Sequence, residues 1–186
     1  MHVDQVQRAM RGDRDAFTQI AAAAVDSCYA LAYRILRDPH RAQDATQQAL
    51  FEAWRNLPQL RDPERFDAWL YRLVVHACYT EARSHRRWNA RVRVLAANPT
   101  STQTDDVAYS VTRRDELEDA FRKLTPERRA VVVLHHYLGY PLTEIAEVLG
   151  IPEGTARSRL HYAVRQLRAA LDDDSRSLVA IEERPA

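Results

Sequence analysis

A chain of 186 residues can build one or two domains with modest cores, and a formal net charge of +1 excludes a uniformly basic nucleic-acid coat. Four glycines, no alternating strand pattern and long stretches rich in Ala, Leu, Arg and Glu favour an all-helical protein. Positive charge is uneven: it gathers around residues 83–93 and 157–168, while the tail opening Asp172-Asp173-Asp174 is acidic.

The predicted elements begin with a short helix at 3–10 and a longer one at 15–36, with Phe17, Ile20, Ala24, Leu31 and Ile35 as core candidates. Arg37-Asp38-Pro39 reads as a stop and restart, Asp38 capping the next helix and Pro39 suiting its first turn. That helix, 38–55, places Ala42, Ala45, Ala49, Leu50 and Ala53 on one side and Asp44, Gln47, Gln48 and Glu52 on a polar surface. A loop containing Pro58 follows. Asp62-Pro63 then repeats the cap-and-first-turn signal before a helix predicted over 64–87, with Phe66, Leu70, Leu73, Val74 and Ala77 as its buried stripe. Its basic end, Arg83-Ser84-His85-Arg86-Arg87-Trp88, suits either the helix dipole or a phosphate backbone.

Residues 98–106, poor in apolar side chains and rich in turn formers, read as a flexible linker. Helices are predicted next at 113–123 and 127–137, the latter capped by Thr125-Pro126 and contributing Val131 and Leu134 to a core. Leu142, Ile145, Ala146 and Leu149 then form one apolar stripe, Gly150-Ile151-Pro152 breaks the helix, and Ala156, Leu160, Ala163, Val164, Leu167 and Leu171 resume it. This is a helix-turn-helix, whose second helix is suited to a major groove. Arg157, Arg159, Arg165 and Arg168, with Thr155, Ser158, His161 and Tyr162, are available to its outer faces. After Leu171 few packing residues remain, and the tail is expected to fray.

The expected fold is therefore all-α: two small helical domains joined by a flexible linker, the second containing the helix-turn-helix. The expected divisions are 1–95, the linker 96–112, 113–172 and an acidic tail 173–186. Cys28 and Cys78 read as small buried hydrophobes and not as a redox or metal pair. His135 and His136 point in different directions on a helix, so no metal site is expected, nor any cofactor. No signal-peptide pattern or membrane-length apolar run occurs, so a cytoplasmic protein without membrane insertion is expected.

Taken in order, these blocks resemble a bacterial RNA polymerase sigma factor of the extracytoplasmic-function type, group 4 of the sigma-70 family. The resemblance rests on Gly12-Asp13 with Ala16-Phe17, on ALAYRILRDPHRAQDATQQALFEAWRNL, on FDAWLYRLVVHACYTEARSHRR from Phe66, and on LTPERRAVVVLHHYLGYPLTEIAEVLGIPEGTARSRLHYAVRQLR from Leu124. It implies that the 38–55 helix is region 2.2, docking on core RNA polymerase through Asp44, Gln47, Gln48 and Glu52. Gln48 stands where the family usually has Glu, and Glu52 lies one turn on. The loop and following helix are similar to regions 2.3 and 2.4, which recognise the −10 promoter element. Asn56, Leu57, Arg61, Asp62 and Arg65 then form a base pocket, with His76, Tyr79, Thr80 and Arg83 along the helix. Trp69 matches a core position of the family. The helix-turn-helix is similar to region 4.2, with Thr155, Arg157, Ser158, Arg159, His161, Tyr162 and Arg165 meeting the −35 duplex.

By the same resemblance the protein is a non-catalytic specificity subunit whose partners are core polymerase, promoter DNA and an anti-sigma factor. Two other readings fit a helix-turn-helix: a conventional regulator that binds an operator by itself, and an adaptor whose first half binds a protein. Only the sigma reading requires core polymerase for sequence-specific initiation.

Overall fold

The computed structural model describes residues 3–95 and 113–182, with side chains over 3–91 and 117–171. The expected linker 96–112 lies outside the described residues. Eight α-helices are described: α1 Val3–Met10, α2 Arg14–Leu36, α3 Pro39–Asn56, α4 Phe66–Leu95, α5 Arg113–Lys123, α6 Pro126–Val132, α7 Leu142–Leu149 and α8 Glu153–Glu182.

Helix starts follow the cap signals. Asp13 accepts the Ala16 N–H at 3.0 Å, and Arg8 holds the same carboxylate at 2.7 Å. Asp38 accepts the Arg41 N–H at 3.0 Å, with Pro39 in the first turn. Asp62 caps a short 3₁₀ turn, Pro63–Arg65, that leads into α4. Thr125 caps α6. Each cap satisfies an N–H that the helix cannot, and each is worth about 0.5–2 kcal/mol. Gly150 ends α7 at φ 64°, a left-handed conformation that costs glycine no Cβ clash.

Three boundaries differ from the sequence expectation. The helix expected to stop near residue 87 continues to Leu95, because its arginines and alanines are good helix formers with no breaker among them. The helix expected over 127–137 changes at Val133 into a widened π turn, Val133–Tyr137, closed by the Leu138 N–H on the Val133 carbonyl at 3.1 Å. The tail expected to fray is helical to Glu182.

Ile20, Cys28, Leu31 and Ile35 of α2 pack against Ala42, Ala45, Ala49 and Ala53 of α3 and Leu70, Val74 and Cys78 of α4, all at most 1% exposed. The alanine face of α3 lets that helix approach its neighbours closely. Val131, Leu134, Ile145 and Ala156, each fully buried, belong to the same core cluster, so the two halves are packed on one another. Polar contacts line this junction. Arg65 pairs with Glu147 and Arg37 with Glu118, the Arg34 guanidinium lies 3.7 Å over the Tyr137 ring, and Tyr71 meets Tyr140 edge-on at 6.2 Å. A smaller cluster of Leu124, Val132 and Ala163 seats α8 on the second half.

Candidate polymerase and DNA surfaces

The α3 helix turns its alanines inward and leaves Asp44, Gln47 and Gln48 exposed. Glu52 is half-buried, and its carboxylate is fully engaged: it accepts from Gln48 Nε2 at 3.2 Å, Arg55 Nη2 at 2.9 Å and Asn56 Nδ2 at 3.0 Å. It therefore orders the strip from within. Sequence reasoning missed Phe51, which is 57% exposed. Its spacing from Asp44, Gln47 and Gln48 is seven, four and three residues, and at about 100° per residue its side chain emerges at the centre of their arc. That spacing was the available signal. An apolar ring in the middle of a polar strip is the composition of a protein-binding surface with a desolvatable anchor.

The loop residues predicted for the −10 element separate into three groups. Leu57 is a correction: at 1% exposed it belongs to the core, because the 3₁₀ turn Leu57–Gln59 rotates it inward, and no base can reach it there. Asn56 is half-buried on Glu52. Arg61, Asp62 and Arg65 line an open cleft of about 400 Å³ edged by Trp69 and by Glu147 and Val148 of the helix-turn-helix. Trp69 is half-buried and lies 5.9 Å from the Phe66 ring, a packing role in agreement with its family position. The Glu147 carboxylate raises the Arg65 guanidinium above its ordinary range, through their hydrogen bond first and then its charge.

Along α4, His76, Thr80 and Arg83 are exposed. Partial desolvation of its ring first, then the charges of Arg72 and Arg83, lower the His76 imidazole below its usual value. Tyr79 is different. It packs against the shared core, its hydroxyl is buried without a hydrogen-bond partner among the described residues, and burial raises its phenol. Arg159 of α8 is close enough for its charge to be felt there.

On α8, Arg157, Ser158, His161, Tyr162 and Arg165 are exposed and Thr155 is half-buried. Arg159 is half-buried and sits about 200° around the helix from Arg157, facing the first half. Arg157, His161, Arg165 and the late Arg168 border a groove of about 410 Å³ floored by Leu160 and Val164. Arg157 is held by Glu153 at 2.7 Å. The Tyr162 ring, half exposed, lies within 5.8 Å of the Arg128 guanidinium and 6.0 Å of that of Arg165. These are donors and cations on a rigid rod, able to meet phosphates and base edges.

Cys28 and Cys78 are fully buried free thiols, pushed up to about 12 by desolvation. His135 donates from Nδ1 to the Tyr140 carbonyl at 3.0 Å, fastening the π turn. Among the described residues no helix is long and apolar enough to cross a membrane.

Comparison with known proteins bears on both halves. Residues 23–88 match Sigma-70 region 2 and residues 114–167 match Sigma-70, region 4. The ECF RNA polymerase sigma factor SigL of Mycobacterium tuberculosis is 36% identical over 152 residues, covering 81% of this chain and 85% of SigL. SigW of Bacillus subtilis is 28% identical over 179 residues, 91% of this chain and 96% of SigW. Among solved structures, CnrH in complex with the cytosolic domain of CnrY superposes with a TM-score of 0.63 at 26% identity, covering 92% of this chain and 97% of CnrH. The sigma factor RpoE of Bartonella quintana, solved with the anti-sigma factor NepR, shares the fold with a TM-score of 0.66 at 20% identity over 84% of this chain and 96% of that one. With an outward recognition helix, a separate exposed strip on α3 and both sigma regions in order, the chain belongs to the extracytoplasmic-function sigma factors of the sigma-70 family.

Proposed function

We infer that the chain binds core RNA polymerase and directs promoter-specific initiation, with residues 1–95 serving docking and −10 recognition, 96–112 linking, and 113–172 reading the −35 element. It supplies no catalytic group and acts in the cytoplasm, where the polymerase works. The observation that carries this reading is the exposed α3 strip of Asp44, Gln47 and Gln48 around Phe51, in the same chain as an outward-facing recognition helix. A self-sufficient operator-binding regulator needs the second of these and has no use for the first.

In this reading α3 docks on polymerase, with Phe51 desolvated at the centre of the contact. Arg61, Asp62 and Arg65 take part in holding an extruded −10 base, and His76, Thr80 and Arg83 line the path of the opened strand. Arg157, Ser158, His161, Tyr162 and Arg165 hold the −35 duplex. Binding the opened strand more tightly than the duplex shifts the closed–open equilibrium without any chemical step. The packed arrangement of the halves must open for this. Elements at −10 and −35 are about 25 base pairs apart, roughly 85 Å of B-DNA, whereas here Glu147 sits on Arg65 and Arg159 faces Tyr79. RpoE was solved with the anti-sigma factor NepR and CnrH with the cytosolic domain of CnrY, and an anti-sigma partner that favours the packed arrangement would hold this chain away from promoters.

Permanganate footprinting of a cognate promoter tests the reading. Thymines in the −10 element become reactive when core polymerase and the chain are both present, and with neither alone. Reactivity or tight operator-like protection by the chain alone would favour the conventional regulator.

A further inference from the structure

Three arginines meet where the two halves pack, and the polymerase and DNA surfaces use none of them. We propose that Arg37, Arg41 and Arg129 form a seat for a phosphate-class oxyanion, inorganic phosphate or the phosphoryl group of a nucleotide, which clamps the halves together when it binds.

The three come from different elements. Arg37 is the C-cap of α2, Arg41 lies in the first turn of α3 and Arg129 on α6, so two belong to one half and the third to the other. In each, the side-chain Nε is buried with no hydrogen-bond partner among the described residues. Arg129 is 8% exposed, and the Arg37 side chain 11%. Arg37 and Arg41 lie close enough for their charges to act on Arg129, and Arg34 and Arg122 act in the same way on Arg37. Carboxylates do not balance this concentration of charge. Glu118 pairs with Arg37, while Glu127 acts on Arg129 but also lies 3.8 Å from Arg86. Neither Arg41 nor Arg129 forms an ion pair among the described residues. Arg37 moreover holds φ 57°, a left-handed conformation ordinarily left to glycine, so a guanidinium stands there at a conformational cost.

Burying a guanidinium without a partner is costly, and like charges brought together repel. One compact anion relieves both penalties at once. Guanidinium groups offer paired N–H donors to the several oxygens of a phosphate, and they are weakly enough hydrated to give up water for it. Arg37 also lines, with Arg34, Phe121, His136 and Tyr137, an open cleft of about 330 Å³ through which an anion can approach from solvent. Because the seat is built from both halves, an anion bound there favours their packed arrangement. That such an anion opposes promoter engagement rests on the initiation-factor reading above; the seat itself does not.

Differential scanning fluorimetry of the full chain, with potassium phosphate replacing chloride at constant ionic strength, tests the seat. The melting midpoint should rise saturably, by about 3–6 °C at roughly ten times the half-saturating concentration. Arg41→Gln and Arg129→Gln should each abolish the rise while melting no lower than the parent chain in chloride alone, since each removes a repelling charge. Arg41→Lys should keep part of the rise. Arg157→Ala/Arg165→Ala, on the DNA-facing helix, should keep all of it. Phosphate should also slow amide hydrogen exchange around Arg37 to Ala42 and Arg129 to Leu134, the segments that meet at the seat. ATP in place of phosphate distinguishes the source: half-saturation well below that of phosphate assigns a nucleotide, and an equal or higher value assigns the free anion. A midpoint that follows ionic strength alone would overturn the inference. So would a full response in both Gln variants, or its loss in Arg157→Ala/Arg165→Ala, which would place the anion on the DNA surface. These assays contain neither polymerase nor DNA, so the initiation-factor reading and the seat fail separately.

Discussion

Phe51 offers a quantitative test of the docking surface. Burying a whole phenylalanine contributes about 1.5–3 kcal/mol. Phe51 is 57% exposed in the free chain, so about half of that, roughly 1–1.5 kcal/mol, is still to be gained when polymerase covers it. Phe51→Ala should therefore weaken core binding about five- to tenfold, and Phe51→Glu considerably more, since it places a charge where water is excluded. The free protein should barely notice, because the ring is largely in solvent already, and its melting midpoint should stay within a degree or two. Competition of labelled and unlabelled chain for core polymerase measures the affinity directly. Asp44→Ala/Gln47→Ala serves as the comparison, acting on the same face through polar contacts. The reasoning fails if the Asp44/Gln47 variant loses affinity while Phe51→Ala and Phe51→Glu retain it, for then the centre of the strip lies outside the contact.

Three further outcomes follow from particular side chains. Arg157→Ala/Arg165→Ala should reduce −35-dependent transcription and its salt sensitivity while leaving core affinity intact; a matching loss of core binding would contradict the placement of these residues on DNA. Arg129 is 8% exposed, its Nε is buried without a hydrogen-bond partner among the described residues, and burial with the charges of Arg37 and Arg41 pushes its guanidinium down to about 10. Arg129→Met should stabilise the free chain by about 1–3 kcal/mol, read as a higher melting midpoint, and a lower one would show the charge to be compensated. The Cys28 and Cys78 thiols are held near 12 against an ordinary 9.0, so above pH 9 the unfolded chain releases protons that the folded chain keeps. Stability should fall between pH 9 and 12 by up to about 1.4 kcal/mol per pH unit for each thiol. Denaturant titration of Cys28→Ala should show a shallower decline, and an unchanged slope would contradict this origin.

Caps and inward faces were legible because their signals are local. Asp38 before Pro39, Asp62 before Pro63 and Thr125 before Pro126 each specify a helix start within three residues, and the alanine spacing of α3 declares its buried side. The α-helical class and the helix-turn-helix followed from the same short-range patterns. Features that depend on distant partners were not legible. Nothing near Arg65 announces Glu147, 82 residues away, and nothing near Tyr79 announces the second half that covers it. Leu57, flanked by Pro58, read as an exposed loop residue because the 3₁₀ turn that buries it has no strong sequence mark. Phe51 escaped because an apolar residue on a polar strip breaks the periodicity used to sort faces.

The central claim is that specificity is delivered through polymerase and not by the chain alone. Purified chain added to sigma-free core polymerase, with transcription from a genomic promoter pool, measures this most directly. The account predicts a defined set of start sites sharing −35 and −10 sequences, present with core and chain together and absent with core alone. Failure to bind core, or transcripts starting no more specifically with the chain than without it, would contradict it.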